Sequence, residues 1–262
     1  MSDYPNLDAK YYHRHSFIQR SLVDGILQLH DFKQDERILD IGCGDGTISA
    51  RLATIVHEGS VLGIDASLEM ITFAKQHFPK KQFNNLRFKN IAAEKFCCDN
   101  QYSLITAFNS LYWIKDLNRT FSNIYHSLSH NGRVLALIYP LESPYWELFI
   151  QTFKTPAFSK WYDNSICAMW ITTEEYIKMA KGFGFTVLCA DTYVESVNYP
   201  DKQAFKDYVN GWLPCMFSSP NEVMNQYLNA VTELAWDLYG NDDGSAALPY
   251  KKLYLYLEKS IV

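Results

Sequence analysis

Six cysteines, Cys43, Cys97, Cys98, Cys167, Cys189 and Cys215, form no Cys-x-x-Cys pair, and the adjacent Cys97-Cys98 is awkward for a structural bridge. A disulfide framework is therefore excluded, and free thiols in a reducing, cytoplasmic setting are expected. Positive charge is also short: 24 Lys and Arg against 29 Asp and Glu leave a formal charge of −5. Phosphate backbones are gripped through Lys and Arg, so nucleic acid is set aside as a partner. No stretch approaches the roughly 18 apolar residues of a membrane span. The opening Met-Ser-Asp-Tyr-Pro has no basic region leading into an apolar core. His126 and His130 are four apart, but no Cys or carboxylate cluster joins them, so no metal is expected. Internal repeats and low-complexity tracts are absent too.

Aromatic side chains are abundant: 18 Tyr, 16 Phe and 6 Trp in 262 residues, of which 48% are hydrophobic. Such a chain can bury a sizeable core as one large domain or as a domain with a lid. Five of the six Trp (Trp146, Trp161, Trp170, Trp212 and Trp236) follow residue 140.

The first half alternates between two periodicities. Ile18, Leu22, Ile26 and Leu29 predict one amphipathic helix over 12–30. Strands are expected at 37–41, 61–65, 86–89, 102–107 and 133–139, the last after a turn at Asn131-Gly132. Helices are expected from Thr47, from a Ser67 cap to about His77, and over 117–128. This rhythm predicts an α/β fold: a parallel sheet with helices on both faces and right-handed crossovers. After Pro140 it breaks. Residues 141–171 read as short helices, then come a helix capped by Thr173, a strand over 185–199, helices near 201–212 and 221–239, and a last strand over 252–258.

Between the first strand and the next helix lies Asp40-Ile41-Gly42-Cys43-Gly44-Asp45-Gly46. Alternate glycines let the backbone turn sharply and approach a ligand with no Cβ in the way. Thr47 stands where a dinucleotide fingerprint has its third glycine, which disfavours a nicotinamide enzyme. Asp65, ending the second strand, suits a ribose diol.

With these residues the chain resembles a class I S-adenosylmethionine-dependent methyltransferase. The resemblance implies a Rossmann-like sheet of seven strands, the last antiparallel, with an aromatic-rich helical lid. It also implies an N-terminal lid (1–30), a cofactor-binding core (31–140), a cap insertion (141–171) and a C-terminal part (172–262) with a helical insertion at 201–239. Asp40, Gly42, Gly44 and Gly46 then surround the methionine part of S-adenosylmethionine, and Asp65, followed by Ala66, holds the ribose. Ala92 stands where many relatives carry an Asp for adenine, leaving the Ala93 amide as adenine's partner. Asn109 faces the methionine portion, and Tyr12 and His15 close over the cofactor.

The run Asn109-Ser110-Leu111-Tyr112-Trp113 resembles juvenile hormone acid methyltransferases. The layout from Tyr193 to Pro214 is similar to trans-aconitate methyltransferase, and Tyr12, His15 and Gln19 resemble a pattern of malonyl-carrier-protein methyltransferases. All three act on carboxylates. The expectation is methylation of a small or medium, partly apolar carboxylic acid, with S-adenosylhomocysteine as product and Gln19 and Trp113 orienting the acceptor. A monomer or weak dimer is expected. N-, C- or phenolic O-methylation with His15 as base, and a non-catalytic methyltransferase-like module, are the alternatives. Plainer roles stand beside these: Trp113 as packing, Gln19 on a solvated face, His13 and His15 as surface polar groups, and Cys43 as a small filler. The aromatics of 141–171 and 199–217, Tyr145, Trp146, Tyr208, Trp212 and Phe217 among them, are expected over the cleft.

Overall fold

The computed structural model describes residues 7–161, 170–216 and 219–260. Cys167 and Phe217 lie outside them. Seven strands, β1 (Arg37–Ile41), β2 (Ser60–Asp65), β3 (Leu86–Asn90), β4 (Tyr102–Phe108), β5 (Leu128–Ile138), β6 (Phe185–Tyr199) and β7 (Ala246–Lys259), form one sheet in the order β3-β2-β1-β4-β5-β7-β6. β1 to β5 are parallel, and β7 runs antiparallel to both β5 and β6. The chain builds outward from β1 to β3, then returns to lay β4 on the other side of β1. That reversal opens a crevice at the C-terminal strand ends, where ligands bind in open α/β sheets. Central strands are covered on both faces, so Ile38, Leu39, Leu104, Ile105, Leu135 and Leu137 are all buried, as continuous apolar runs require.

Helices α4 (Thr47–Ile55), α5 (Leu68–His77) and α6 (Leu117–Ser127) join the parallel strands. α7 (Pro144–Lys154), α8 (Thr173–Gly182), α9 (Lys202–Asn210) and α10 (Asn221–Tyr239) belong to the second half. Among the described residues no helix is long and apolar enough to cross a membrane.

Four local expectations are corrected. The single helix over 12–30 is three short ones: α1 (Ala9–His15), α2 (Phe17–Ser21) and α3 (Val23–Leu27). Ala9 packs with Met70 and Phe73 in a small separate cluster, whereas Ile18, Leu22 and Ile26 enter the main core. The bend at Ser16 lets the segment face both. Thr172, not Thr173, caps α8, because Glu175 three residues on completes a reciprocal capping box. Asn131-Gly132 lies inside β5 as a bulge, with Tyr102 opposite Leu128 but Leu104 opposite Arg133. The last strand is longer than 252–258 because it pairs along β6 from Tyr199–Ala246 to Phe185–Lys259.

A buried polar chain ties the segment before β1 to the sheet. Arg133 Nη1 donates to the Tyr256 hydroxyl at 2.8 Å, that hydroxyl lies 2.8 Å from His30 Nδ1, and His30 Nε2 lies 3.0 Å from Glu36 Oε1. With the His30 proton on Nε2, each link has one donor and one acceptor. Tyr256→Phe removes the central link and strands its neighbours. It is expected to cost about 1–3 kcal/mol, read as a lower urea midpoint at unchanged slope; an unaltered midpoint contradicts the role given to this chain.

Candidate active site

The crevice begins at the glycine loop. Gly42, Gly44 and Gly46 have φ of 68°, 54° and 83°, a left-handed region costly for residues with a Cβ. The Ile64 carbonyl accepts from the N–H groups of Gly42 (2.8 Å) and Cys43 (3.0 Å), fastening the loop to β2. The glycines differ in what surrounds them. A Cβ on Gly42 would strike the Ser110 side chain, and one on Gly46 would meet Phe88 at 2.7 Å and Ala74 at 2.8 Å. A Cβ on Gly44 would meet nothing nearer than the Tyr12 ring at 3.8 Å. Two glycines thus serve packing, and Gly44 leaves bare backbone facing an open space.

Asp40 lies beneath the loop. Ser49 Oγ (2.5 Å) and Thr106 Oγ1 (2.8 Å) donate to its two oxygens. Burial outweighs these bonds and pushes its pKa up to about 6. Asp65 ends β2 with Oδ2 accepting from Gly44 N–H at 3.0 Å and Oδ1 from Ser67 N–H at 2.8 Å. Burial raises its pKa as well, against the pull of those two bonds. Asn90 Nδ2 donates to the carbonyls of Asp65 and Ala66, both at 2.9 Å, and so fixes the turn that presents the carboxylate. Asn123 does the same across the crevice, donating to the Ala93 and Glu94 carbonyls at 3.1 and 3.0 Å.

These elements wall a cleft of about 840 Å³, partly open to solvent. Gly42, Gly44, Asp65, Ala66, Ala93 and Asn109 all line it, with Tyr12 and Trp113 on the side away from the sheet. A second, smaller inner cavity, itself partly open, shares Tyr12, Asn109, Trp113 and Trp212 with the first and adds Gln19. Its remaining walls are Tyr112, Tyr139, Tyr145, Trp146 and Tyr208. Gln19 is thus buried against a cavity, not on a solvated face. Trp113 sits among Tyr112, Trp146 and Trp212, with ring centroids 5.2 to 5.9 Å apart.

Asp40, Gly46 and Ala92 lie behind these walls, and Ala92 is buried. His15 is outside both cavities: it stacks on Tyr11 at 4.4 Å, and its Nδ1 is 4.0 Å from Asp207. His13, taken as a surface group, instead places Nδ1 2.7 Å from Asp45 Oδ2 and so ties α1 to the glycine loop. His126 Nδ1 meets the Ser122 carbonyl of its own helix at 2.8 Å. Cys43 is buried, and Cys215 lines the outer cleft. Burial holds the Cys43 thiol well above the usual range and pushes Cys215 up to about 12, so neither supplies a thiolate near neutral pH.

Several site residues were not singled out from sequence: Leu7, Met70, Ser110 and Cys215 in the outer cleft, and Tyr139 in the inner one. Met70 was in principle findable, three residues after a helix cap that follows a strand-end acid. Tyr139 carried no such mark, standing only as the residue after a strand.

Several buried polar atoms that border these cavities have no partner among the described residues, two of them amide oxygens. Asn109, at φ 55°, directs Nδ2 toward the Gln19 carbonyl at 3.4 Å and leaves Oδ1 unsatisfied. Gln19 Oε1 is unsatisfied as well. A bare glycine backbone, a carboxylate at a strand end and an unsatisfied amide oxygen suit, in turn, the close approach, the diol and the ammonium of S-adenosylmethionine. Sheet order and cleft together define a class I methyltransferase, whose cofactor is S-adenosylmethionine.

The comparisons agree. Residues 32–181 match the methyltransferase domain family, and the chain belongs to it. It is 22% identical over 242 residues to the juvenile hormone acid O-methyltransferase of Drosophila melanogaster, covering 86% of this chain and 81% of that protein. With the malonyl-[acyl-carrier protein] O-methyltransferase of Bacillus anthracis it shares 25% over 134 residues, 50% of this chain and only 49% of that protein. The YcgJ protein from Bacillus subtilis superimposes with a TM-score of 0.66 at 19% identity, covering 93% of this chain and 99% of that one. Phosphoethanolamine N-methyltransferase 2 of Haemonchus contortus, solved with S-adenosylhomocysteine, does so at 0.59 and 18%, covering 93% of this chain and 53% of that one.

Burial lifts the folded-state pKa of Asp40 above the roughly 3.9 of an unfolded aspartate, so the folded chain holds that proton more tightly. Its contribution to stability therefore falls as pH rises from about 4 through about 6. Relative to Asp40→Asn, which does not titrate, the wild type is expected to lose up to roughly 1.4 kcal/mol per pH unit across that interval. Urea midpoints at pH 4, 5, 6 and 7 measure this; parallel profiles contradict it.

Proposed function

We propose that the protein methylates the carboxylate of a small or medium-sized, partly apolar acid, releasing the methyl ester and S-adenosylhomocysteine. The observation that carries this reading is what the inner cavity lacks. Among the described residues its walls are phenol, indole and amide, with no Asp, Glu, His, Lys or Arg. Burial holds the phenols of Tyr112, Tyr139 and Tyr145 well above their usual range, so they remain neutral. Such walls offer hydrogen bonds but no proton acceptor effective near neutral pH. A carboxylate, with a pKa of about 4, arrives already ionised. An ammonium or a phenol, near 10, needs a base, and His15 faces Asp207 instead of the cavity. The names of the two O-methyltransferase relatives support the same choice.

S-adenosylmethionine supplies an electrophilic methyl group on a sulfonium sulfur. The chain's task is to hold and orient. Asp65, both oxygens already steadied by backbone N–H groups, takes the ribose hydroxyls. Ala66 and Ala93 border the adenine end, with Ala92 buried behind them. Gly42, Gly44 and Gly46, with Asp40 buried beneath, shape the methionine end, and Asn109 Oδ1 accepts from the ammonium. Gln19 and Trp113 orient the acid. Tyr12, over Gly44, forms with α1 the inner face of a lid, latched by His13 to Asp45. With no proton to move, fixing the two reactants in attack geometry and excluding water supplies the rate. The open backbone at Gly44 and the poised Asp65 speak against a module that binds no cofactor.

Incubation of the protein with methyl-labelled S-adenosylmethionine and a panel of carboxylic acids is expected to yield products that release labelled methanol in mild base. Label that withstands base would falsify the ester. Asp65→Ala is expected to weaken S-adenosylhomocysteine binding roughly tenfold or more by calorimetry. Trp113→Phe is expected to lower kcat at little cost to that binding; an equal loss of both would make Trp113 a cofactor residue.

A further inference from the structure

The two cavities differ in the kind of apolar wall they present. Outer-cleft walls include Leu7, Ile41, Ile64, Met70, Ile91 and Ile114. The inner cavity has no aliphatic side chain among its described walls: every apolar surface there is a Tyr or Trp ring. The rings are also rigidly placed. Trp146 stacks on Trp170 at 4.3 Å and donates Nε1–H to the Tyr139 carbonyl at 3.0 Å, while Tyr145 stacks on Tyr250 at 4.2 Å. Aliphatic pockets conform to flexible chains, whereas fixed ring faces and edges reward another ring set offset or edge-on.

Two polar atoms sharpen the match. The Tyr139 hydroxyl and Gln19 Oε1, like the Tyr145 hydroxyl, are buried, line this cavity and have no partner among the described residues. Either one left unpaired in a complex costs about a tenfold loss of affinity or more. An acid whose only polar group is its carboxylate can accept from the Tyr139 hydroxyl but cannot donate to Gln19 Oε1. Asn109 Oδ1 is a separate matter, since Asn109 also borders the outer cleft, where the cofactor's ammonium can reach it. Gln19 borders only the inner cavity, so its donor comes with the acceptor molecule.

We infer that the acceptor is a compact aromatic acid carrying an O–H or N–H donor, a hydroxylated aryl or indolyl carboxylate, and not a straight-chain or isoprenoid acid. The inference rests on the carboxylate reading above.

The test compares kcat/KM of the wild-type protein for benzoate, hydroxybenzoates and indole-3-acetate with that for octanoate and a prenyl acid, measured as labelled methyl transfer. Ring-bearing acids are expected to exceed chain acids of similar carbon number by about tenfold or more, and hydroxylated rings to exceed their parents. Chain acids turning over equally well or better overturns this inference and leaves the carboxylate reading standing. Failure of every acid, with S-adenosylhomocysteine still bound, sinks the carboxylate reading itself. Tyr139→Phe is expected to reduce the preference for a hydroxylated ring over its parent by about fivefold. A preference that stays the same in the variant counts against the hydroxyl's part in selection, and the wild-type panel decides the ring whether or not the variant folds.

Discussion

A single turn of backbone, from Ile41 to Thr47, sets the position of everything in the cleft. It must leave β1, pass through three left-handed residues and enter α4, while the Ile64 carbonyl holds its first two N–H groups. Only glycine meets both demands at Gly42 and Gly46, where the conformation is left-handed and neighbouring side chains occupy the space of a Cβ. The same turn points the Gly44 N–H at Asp65. That bond links the loop after β1 to the end of β2 and gives the strand-end carboxylate its orientation. Because β1 is where the sheet order reverses, the loop and the acid lie at the mouth of the crevice between β1 and β4.

Around that fixed floor the chain builds two apolar environments. Strand-end and N-terminal aliphatics surround the outer cleft, and rings from α7, α9 and the segment after β4 enclose the inner one. The N-terminal segment contributes Leu7 and Tyr12 to the outer cleft. α1 packs through a small cluster of its own, Ala9 with Met70 and Phe73, separate from the main core. In the proposed reaction α1 opens as a lid, which breaks the His13–Asp45, Tyr11–Asp207 and Ala9–Glu69 contacts and the small apolar cluster but leaves the sheet undisturbed. In the proposed reaction this division matters: one compartment holds the methyl donor, the other a nucleophile that is ready on arrival.

Much of this was legible in the residues. Strand runs such as Arg37–Ile41 and Phe185–Tyr199 stand at their expected places, the first as a buried apolar run and the second as a long strand bounded by Gly184 and Pro200. The glycine loop and Asp65 are readable for a different reason, since their chemistry depends on local spacing. Long-range packing erased other signals. The periodicity of 12–30 continues through a bend that serves two different partners, so Ile18 and Ile26 gave no warning of Ser16. Nothing near His15 foretold that Asp207, almost two hundred residues later, would take its ring away from the cleft. Likewise, Tyr139 lines the inner cavity only because α7 folds back against β7 and brings Trp146 Nε1 to the Tyr139 carbonyl.

The central claim is that the acceptor loses no proton in the transfer, because the described residues around the cavity proposed to hold it include no base. The pH dependence of kcat, with saturating S-adenosylmethionine and the best carboxylic acid, tests this most directly. The account predicts a level profile from about pH 6.5 to 9, since the carboxylate is ionised throughout and the lining phenols remain neutral. A tenfold rise per pH unit anywhere in that range would show that a proton must leave before methyl transfer, and would contradict it.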